Sequence, residues 1–381
     1  MAGRMRDAKV SGRAPDRVIV VNTGGMAPGG ITYNMLNYLT EIAVDGRVAV
    51  TVVATIFYDE YMIAMFRKAG CEVVCLPDRN ARPLKYFFEL CRLLSRGRFD
   101  AIHVHGSSGM MALEMLAAKL AGVGTRIAHS HNTSTNHPSL HRILLPVMQS
   151  LTTKRLACGK RAGEWLHGRR EFEVLNNGVD LARFAFDETN RNTVKEESGW
   201  GTNPIVGHVG TFTDVKNQEF IIDVFAELLK RDDSCRLLLL GDGPLRERIA
   251  RKCSETGLRD KVRFTGTVND TEKYLSAMDA VIMPSLYEGL PLTLVEEQAN
   301  GLSCLISDTI TEEIDMTGNV VFMSLKEDKG VWAEKLNDLL ERAKNCDRAA
   351  KSEKACADVG SNRYDIRKEA ERLLAIYGIE K

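Results

Sequence analysis

The chain has 381 residues, in which 51 lysines and arginines are balanced by 51 aspartates and glutamates. This length favours two domains, and the zero net charge gives the chain as a whole no affinity for nucleic acid. The hydrophobic fraction of 44% is that of an ordinary globular protein, and no apolar run reaches the roughly 18 residues that span a bilayer. Nine scattered cysteines without a CxxC pair predict reduced thiols.

Residues 1–16 are basic and lack an apolar core segment, so we expect a disordered lead-in and no secretory signal. From Arg17 onward, short runs rich in β-branched residues alternate with amphipathic stretches, which is typical of doubly wound parallel sheets. The alternation weakens in the polar stretch 176–201 and then restarts. The predicted strands are RVIVVN, VAVTVVAT, CEVVCL, DAIHVH and TRIAHS in the first half, and NPIVGHVGT, CRLLLLG, KVRFTG, DAVIMPS and LSCLISD in the second.

We therefore predict an α/β protein with two Rossmann-like domains that face a central cleft. The first domain is expected over 17–185 and the second over 186–360. A terminal helix in 361–381 is expected to cross back to the first domain. Ligands of such sheets bind beyond the carboxyl ends of the strands.

Two features of the first half follow predicted strands. The loop NTGGMAPGGIT contains four glycines before a helix, where backbone can approach an anion closely, although a plain tight turn also explains it. The loop matches neither a P-loop nor GxGxxG. His103, His105, His129 and His131 lie at two strand ends. Zinc is disfavoured because no carboxylate or cysteine lies close in sequence, and His103 and His129 are also explained as buried strand residues.

Three loops of the second half follow strands as well. Lys216 lies where a loop meets a helix, and Gly241-Asp242-Gly243 ends another strand. In SLYEGLPLTLVEEQ, seven residues separate Glu288 in the loop from Glu296 in the helix that Pro291 begins. The two carboxylates and the helix start suit a sugar or ribose and a phosphate, although acids also favour a helix start without any ligand. A hydrolytic pair is disfavoured, because such pairs flank a bond from opposite faces.

The ordered series GGMAPGGI, AHSHN, NNGVD, VGTFTDVKNQ, LLLLGDGP, RFTGTVND and PSLYEGLPLTLVEEQANG resembles the retaining glycosyltransferases of family four, which have the GT-B fold. Within that family, it is most similar to enzymes of bacterial capsule and exopolysaccharide synthesis. The resemblance runs from about Arg17 to the end of the chain. It implies transfer from a nucleotide-diphosphate sugar, expected to be a UDP-sugar, with retention at the anomeric carbon.

The resemblance implies three catalytic residues: His131 beside the donor sugar and acceptor, Lys216 on the diphosphate, and Glu288 on hydroxyls of the transferred sugar. It also implies donor contacts from the glycine-rich loop to the diphosphate, from Gly266 to Val268 around the base, and from Glu296 to the ribose. The donor-binding set is Gly29, Gly30, Thr211, Gly243, Gly266, Val268, Gly289, Leu290, Leu292, Thr293 and Glu296.

One position departs from the family pattern. The family often has an arginine after the glycine of the second phosphate loop, whereas Thr211 follows Gly210 here. A basic residue from elsewhere, such as Arg126 or Arg142, is one hypothesis for the missing charge. The chain contains no Asp-x-Asp, so we expect neither a metal nor a cofactor, with helix N-termini and Lys216 meeting the diphosphate charge.

The expected partners are the sugar nucleotide, a glycan or lipid-linked acceptor and no nucleic acid. Between residues 138 and 170, seven lysines and arginines stand against the single acid Glu164. Residues 83–98 add basic and aromatic side chains. Such a surface suits an anionic leaflet, although a solvated face explains it equally well. We expect a cytoplasmic protein that contacts the inner face of the cell membrane through its first domain.

Three alternatives remain. A nucleotide-sugar epimerase of the same plan tends to lack the EGLPLTLVEEQ stretch, and a phosphorylase of the glycogen type needs a cofactor lysine and a longer chain. A sugar-nucleotide-binding regulator that has lost catalysis is suggested only by Thr211. A dinucleotide oxidoreductase is disfavoured by the missing GxGxxG.

Overall fold

The structure, a computed structural model, describes residues 16–56 and 58–379, apart from the side chain of Asp45. The predicted lead-in lies almost wholly outside these residues. The chain divides into two compact units, one reaching Gly178 and resuming at Ile366, the other running from Val179 to Asp365. The predicted boundaries at 185 and 360 lie a few residues away from these points. Phe184 belongs to the second unit because Asn300 Nδ2 donates to its carbonyl at 2.9 Å.

The first unit contains a parallel sheet of seven strands in the order β3-β2-β1-β4-β5-β6-β7. Five of them arise from the predicted apolar runs, of which the four inner strands are largely buried and the edge strand is partly exposed. β6 and β7 were not predicted, because these short strands at or beside a sheet edge contain charged residues and leave little apolar pattern. The strands are β1 Asp16–Asn22, β2 Val48–Ala54, β3 Glu72–Cys75, β4 Ala101–Gly106, β5 Thr125–Ser130, β6 Lys154–Ala157 and β7 Glu173–Val174.

Seven helices cover this sheet. The last of them, α15, packs on α1 through Leu373, Leu374 and Tyr377, so the C-terminal segment completes the core of the first unit. A short 3₁₀ helix, Gly109–Met111, precedes α4. The helices are α1 Gly30–Asp45, α2 Glu60–Lys68, α3 Pro83–Gly97, α4 Ala112–Leu120, α5 Pro138–Leu151, α6 Lys160–His167 and α15 Ile366–Tyr377. The helices numbered between α6 and α15 belong to the second unit.

The second unit contains a parallel sheet of six strands in the order β10-β9-β8-β11-β12-β13. The sequence analysis missed only β13, a short edge strand. The strands are β8 Ile205–Val209, β9 Arg236–Leu240, β10 Val262–Gly266, β11 Ala280–Met283, β12 Ser303–Ser307 and β13 Val320–Met323. The helices are α7 Leu181–Phe184, α8 Glu188–Ser198, α9 Gln218–Leu229, α10 Arg246–Glu255, α11 Thr271–Ala277, α12 Leu292–Ala299, α13 Lys329–Lys344 and α14 Arg348–Ser361.

The stretch 176–201 carries more structure than its polarity indicates. It contains α7 and α8, each begun by an aspartate whose side chain accepts from backbone N–H groups of the first turn, Asp180 and Asp187. Of α8, only Val194 is fully buried. A helix that buries so little has no apolar stripe for a sequence pattern to detect.

Both sheets have the predicted Rossmann-like plan, in which the strand order reverses next to the first strand. The reversal lies between β1 and β4 in the first unit and between β8 and β11 in the second. Loops at the carboxyl ends of these strand pairs are where open parallel sheets bind ligands. Among the described residues, no helix is long and apolar enough to cross a membrane.

Candidate active site

The predicted residues of the second unit lie in four loops at the carboxyl ends of four adjacent strands. Lys216 follows β8, Gly243 follows β9, Gly266 ends β10 and Glu288 follows β11. The strand order β10-β9-β8-β11 places these loops side by side. Lys216 and Glu288 therefore flank the reversal point of the sheet.

An ion pair joins the two catalytic candidates of this unit. The Lys216 Nζ atom lies 2.6 Å from a Glu288 carboxylate oxygen, and their side chains are only 18% and 16% exposed. Partial burial strengthens such a pair and limits the positions that each side chain can adopt. The sequence analysis gave the two residues separate roles and did not predict their contact.

Backbone and side-chain hydrogen bonds fix these two loops to each other. Asn217, in the left-handed conformation at φ 55°, donates from Nδ2 to the carbonyl of Pro284 at 3.1 Å. The Leu286 N–H donates to the carbonyl of Val215 at 2.8 Å. The ion pair therefore sits on a rigid support, as a preorganised site requires.

The glycines of this edge are explained by close packing. A Cβ on Gly241 would lie 2.2 Å from the Gly210 carbonyl oxygen, and one on Gly243 would lie 2.6 Å from that of Phe212. A Cβ on Gly210 would lie 3.3 Å from two carbons of the Lys216 side chain. Close packing against the backbone therefore explains both glycines of the GDG turn without any ligand. The absence of a side chain at Gly210 leaves space for Lys216.

Two further residues of this site were missed. His208 Nδ1 shares a hydrogen bond with the carbonyl of Ile282 at 3.0 Å, and Gln218 Nε2 contacts His208 Nε2 at 3.3 Å. Gln218 Nε2 also donates to the carbonyl of Thr211 at 3.0 Å. This hydrogen bond fixes the loop that contains Thr211, the residue that differs from the family pattern. Burial lowers the pKa of His208 to about 4, so the ring is uncharged at neutral pH. The signal was a histidine and a glutamine flanking the loop VGTFTDVKN in an apolar context.

The helix α12 carries the second carboxylate of the SLYEGLPLTLVEEQ motif. Burial raises the pKa of Glu296 to about 8, with Arg183 opposing that rise, so the carboxyl is largely protonated at neutral pH. Thr293 Oγ1 is buried and has no hydrogen-bond partner within the described part of the chain. The neighbouring Glu297 is fully buried, with its pKa raised well above the usual range by desolvation.

The other predicted donor contacts lie around this helix. Leu290 and Leu292 pack against the core of the unit, as does Val268, so their backbone is the part that a donor would meet. Gly289 has open space where a Cβ would be. Beside the predicted base site, Arg183 donates to the carbonyl of Asn269 at 2.7 Å and pairs with Glu272.

In the first unit, the glycine-rich loop is held by Asn22 at the end of β1. Its Oδ1 accepts from the Gly24 N–H at 2.9 Å, and its Nδ2 donates to the Gly25 carbonyl at 2.7 Å. The helix α1 begins at Gly30 without a side-chain cap. Within the described residues, a Cβ on Gly29 would meet only the Ala27 carbonyl oxygen at 3.9 Å and one on Gly30 would meet nothing within 4 Å, so these two glycines leave open space at the helix start.

The four histidines of β4 and β5 form two hydrogen-bonded pairs. His105 Nδ1 lies 2.8 Å from His131 Nε2, and His103 Nε2 lies 3.0 Å from His129 Nδ1. The hydroxyl of Tyr377 contacts His103 Nδ1 at 2.8 Å. Burial lowers the pKa of His131 to about 3 and those of the other three well below their usual range, so all four rings are uncharged at neutral pH.

This network separates the roles of the four rings. His103, His105 and His129 are almost fully buried, and only His131, just past the end of β5, is partly exposed. The interpretation of His103 and His129 as buried strand residues is confirmed. Ring nitrogens of His103, His105 and His129 lie within 4.8 Å of one another, near enough for one metal ion. The hydrogen bond between His103 and His129 and the stacking of His105 on His103 also account for this proximity.

Arg126, one of our two suggestions for the charge missing at Thr211, is engaged by backbone carbonyls of the first unit. It is the second residue of β5, at the opposite end of that strand from His131. Its guanidinium donates to the carbonyls of Leu151, Val123 and Gly124 at 2.7–3.1 Å. Arg126 is therefore a structural clamp, while Arg142 is exposed near the start of α5.

Comparisons with known proteins decide the family. Residues 28–183 match the family model described as Glycosyltransferase Family 4, and residues 190–355 match the one described as Glycosyl transferases group 1. EpsF of Bacillus subtilis (strain 168), named as a glycosyltransferase, is 38% identical over 341 residues, which are 84% of this chain and 85% of EpsF. The chain belongs to the family 4 glycosyltransferases.

Two other relatives are named for capsular polysaccharide biosynthesis and for galactosyl transfer. This glycosyltransferase is 26% identical to the capsular polysaccharide biosynthesis glycosyltransferase CapH of Staphylococcus aureus, over 78% of this chain and 82% of CapH. It is 28% identical to the UDP-Gal:alpha-D-GlcNAc-diphosphoundecaprenol alpha-1,3-galactosyltransferase of Escherichia coli, over 67% and 68%. The crystal structure of Anabaena Alr3699/HepE in complex with UDP matches with a TM-score of 0.75 at 17% identity, covering 95% of this chain and 99% of HepE. The predicted family and GT-B fold are confirmed.

Proposed function

We propose that this glycosyltransferase moves a sugar, with retention of anomeric configuration, from a UDP-sugar to a hydroxyl of a lipid-linked glycan during capsule or exopolysaccharide synthesis. The observation that carries the proposal is the Lys216–Glu288 ion pair at the reversal point of the second sheet. The start of α12 lies four residues after Glu288. A cation, a carboxylate and free backbone N–H groups at one sheet edge suit a sugar diphosphate.

The two partners have complementary tasks in breaking the bond between the anomeric carbon and the diphosphate. Negative charge grows on the leaving diphosphate, which Lys216 and the N-terminus of α12 stabilise. Positive charge grows on the sugar ring, which Glu288 stabilises while accepting hydrogen bonds from sugar hydroxyls. In the free protein each partner neutralises the other, so an arriving donor replaces the ion pair with two contacts of its own.

The other assignments follow from the exposed and unpartnered polar groups. Glu296 takes the ribose hydroxyls, since a protonated carboxyl both donates and accepts, and Gly266 to Val268 hold the base. On the first unit, the open helix start at Gly29 and Gly30 receives the diphosphate. His131 is an uncharged hydrogen-bonding group for the sugar and acceptor, with His105 fixing its ring. No metal is assigned a role in this mechanism.

The donor and acceptor classes rest on relatives. HepE was crystallised with UDP, and the Escherichia coli relative is named for UDP-Gal and an undecaprenol diphosphate acceptor. Because that acceptor is lipid-linked, an enzyme of this kind works at a membrane surface.

One surface of the first unit combines exposed apolar and basic side chains, which suits contact with a membrane. The helices α3, α4 and α5 pack side by side and expose large apolar side chains. Leu84, Phe88, Leu120 and Ile143 are 67–74% exposed. Exposed basic residues lie among them, namely Lys85, Arg92, Arg96, Lys119 and Arg142. We infer that this surface rests on the anionic cytoplasmic leaflet, with apolar side chains inserted and cations at the headgroups.

We expect the full chain to co-sediment with vesicles containing anionic lipid, and less so as salt rises. Phe88→Ser combined with Ile143→Ser should weaken this binding about tenfold or more, because each buried apolar side chain contributes about 1.5–3 kcal/mol. Val331→Ser, an exposed apolar position in the second unit, is the matched control and should bind as the unchanged protein does. No sedimentation at low salt, or equal binding of the double variant, would overturn the membrane proposal.

The function itself is tested by incubating the full chain with a panel of UDP- and GDP-sugars. We expect one UDP-sugar to be turned over, slowly with water alone, and the first product seen by ¹H NMR to keep the donor's anomeric configuration. Excess EDTA should leave the rate unchanged. Interconversion of free sugar nucleotides without release of UDP would show an epimerase, and binding without turnover would show a regulator.

A further inference from the structure

A second ligand-sized cavity lies in the second unit, at the opposite edge of its sheet. The cavity has a volume of about 580 Å³, within the range of small-molecule sites. Pro204, Asp279, Ser303 and Asn319, which line it, lie at or just before the amino ends of β8, β11, β12 and β13. Lys216 and Glu288 follow the carboxyl ends of β8 and β11, roughly 15 Å away along strands that rise about 3.3 Å per residue. The cavity is therefore separate from the donor site.

Cationic side chains predominate in its lining. Five line the cavity, Arg191, Arg342, Lys344, Arg348 and Lys351, against the acids Glu188, Asp279 and Asp347. Most of the acidic charge is already engaged. Asp279 pairs with Arg191 at 2.7 Å, Asp347 caps α14 by accepting from the Ala350 N–H, and Glu188 is exposed.

Three of these cations have no carboxylate partner. Lys344 pairs with Glu341 at 2.6 Å, but Arg342, Arg348 and Lys351 form no ion pair within residues 16–56 and 58–379. Arg348 is held by neutral acceptors only, donating to the carbonyl and side-chain oxygens of Asn300 at 2.7 Å each. These contacts fix its guanidinium without cancelling its charge.

Lys351 has donors left over for a ligand. It lies one helical turn after Arg348 on α14, and its Nζ donates to Ser303 Oγ at 2.8 Å. An ammonium has three donors, so two remain beyond this hydrogen bond. Burial lowers the pKa of Lys351 and lowers that of Arg348 to about 10, because desolvation disfavours a cation, and the nearby Asp279 carboxylate opposes the fall for Arg348 only in part.

We propose that this cavity binds a small organic phosphate, held by Lys351 and Arg342 through its phosphate and by apolar residues such as Leu339 and Val321 through its organic part. A phosphate supplies the missing negative charge and accepts the spare donors of Lys351. The first turn of α14 also lines the cavity, and a helix start favours an anion. This site is independent of the proposed sugar transfer.

The site also has a physical connection to the donor edge. Arg348 binds Asn300, the residue that directly follows α12. The helix α12 has eight residues and spans about 12 Å at 1.5 Å per residue. The SLYEGLP part of the SLYEGLPLTLVEEQ motif precedes its other end, so Arg348, which lines the cavity, contacts the residue at the C-terminal end of the helix whose N-terminal end we assign to the donor.

The test uses inorganic pyrophosphate as the probe and the full chain carrying Lys216→Ala, which removes the proposed diphosphate contact at the donor edge. At constant ionic strength, pyrophosphate should raise the Tm of this protein, whereas an equivalent amount of chloride should not. Adding Lys351→Gln should weaken pyrophosphate binding about tenfold or more, since a charge-assisted hydrogen bond is lost. Arg342→Gln, at an exposed position, should also weaken pyrophosphate binding.

Lys354→Gln is the matched control, because Lys354 is an exposed residue of the same helix outside the cavity. It removes the same charge and should leave the pyrophosphate shift unchanged. A shift that survives both Lys351→Gln and Arg342→Gln, or no shift in the Lys216→Ala protein, would overturn the site. Because no step depends on sugar transfer, this result is independent of the proposed function.

Discussion

Replacing Lys216 by alanine, or Glu288 by glutamine, should lower kcat/KM for sugar transfer by about 100- to 1,000-fold, the usual effect of removing one preorganised charge from a transition state. The two residues form one ion pair at 2.6 Å, so their effects should not add. The kcat/KM of the double variant should be little lower than that of the less active single variant. Steady-state rates with the accepted UDP-sugar measure all three.

The matched control is Lys230→Ala, which breaks the exposed Lys230–Glu227 pair of the same unit. Exposed pairs contribute little, so the control should retain full turnover and its Tm. Circular dichroism and thermal unfolding show whether the active-site variants stay folded. Turnover close to that of the unchanged enzyme in either single variant would refute the site assignment.

Acidification below about pH 6.5 should destabilise the protein steeply, because several histidines are buried and uncharged. Their folded pKa values, about 3 for His131 and about 4 for His167 and His208, lie below the unfolded value near 6.5. As the pH falls, the unfolded chain binds protons first, so stability is fully present above about pH 6.5 and is lost below it. Each such histidine contributes up to about 1.4 kcal/mol per pH unit.

Urea unfolding at pH 7.5, 6 and 5 measures this loss. Glu296 acts in the opposite direction, because its folded pKa of about 8 exceeds its unfolded value, so its contribution declines as the pH rises. His167→Gln should reduce the number of protons taken up on unfolding in acid by about one, which makes the free energy of unfolding less dependent on pH. His137→Gln, at an exposed position, should leave this dependence unchanged. A stability that stays constant from pH 7.5 to 5 would show that the histidine network is not uncharged and buried as described.

The sequence revealed the central strands and the loops that follow them, for physical reasons that are local. Strands such as β1 and β11 are buried on both faces, so their β-branched runs are unbroken. The short strands β6 and β7 contain Lys154, Arg155 and Glu173, so neither is an unbroken apolar run, and β13 is a four-residue strand at a sheet edge. The helix α8 fully buries only Val194, and its polar sequence resembles that of a linker.

The site was predictable as a set of loops but not as a set of contacts. Parallel strands bring their carboxyl ends to one edge, so Lys216 and Glu288 were expected at the same edge. Their direct contact depends on Asn217, whose left-handed backbone and bond to Pro284 join two loops distant in sequence. Strand register likewise decided that His105 bonds His131, and that Arg126 lies near the amino end of β5, where it bonds backbone carbonyls.

The central claim is that the Lys216–Glu288 pair is the donor site, and a crystal structure with bound UDP tests it most directly. The distance from Lys216 Nζ to the nearest diphosphate oxygen should be about 3 Å, with the ion pair to Glu288 lengthened. The ribose should lie against Glu296. A UDP whose diphosphate lies away from Lys216, with the 2.6 Å ion pair still intact, would contradict the account.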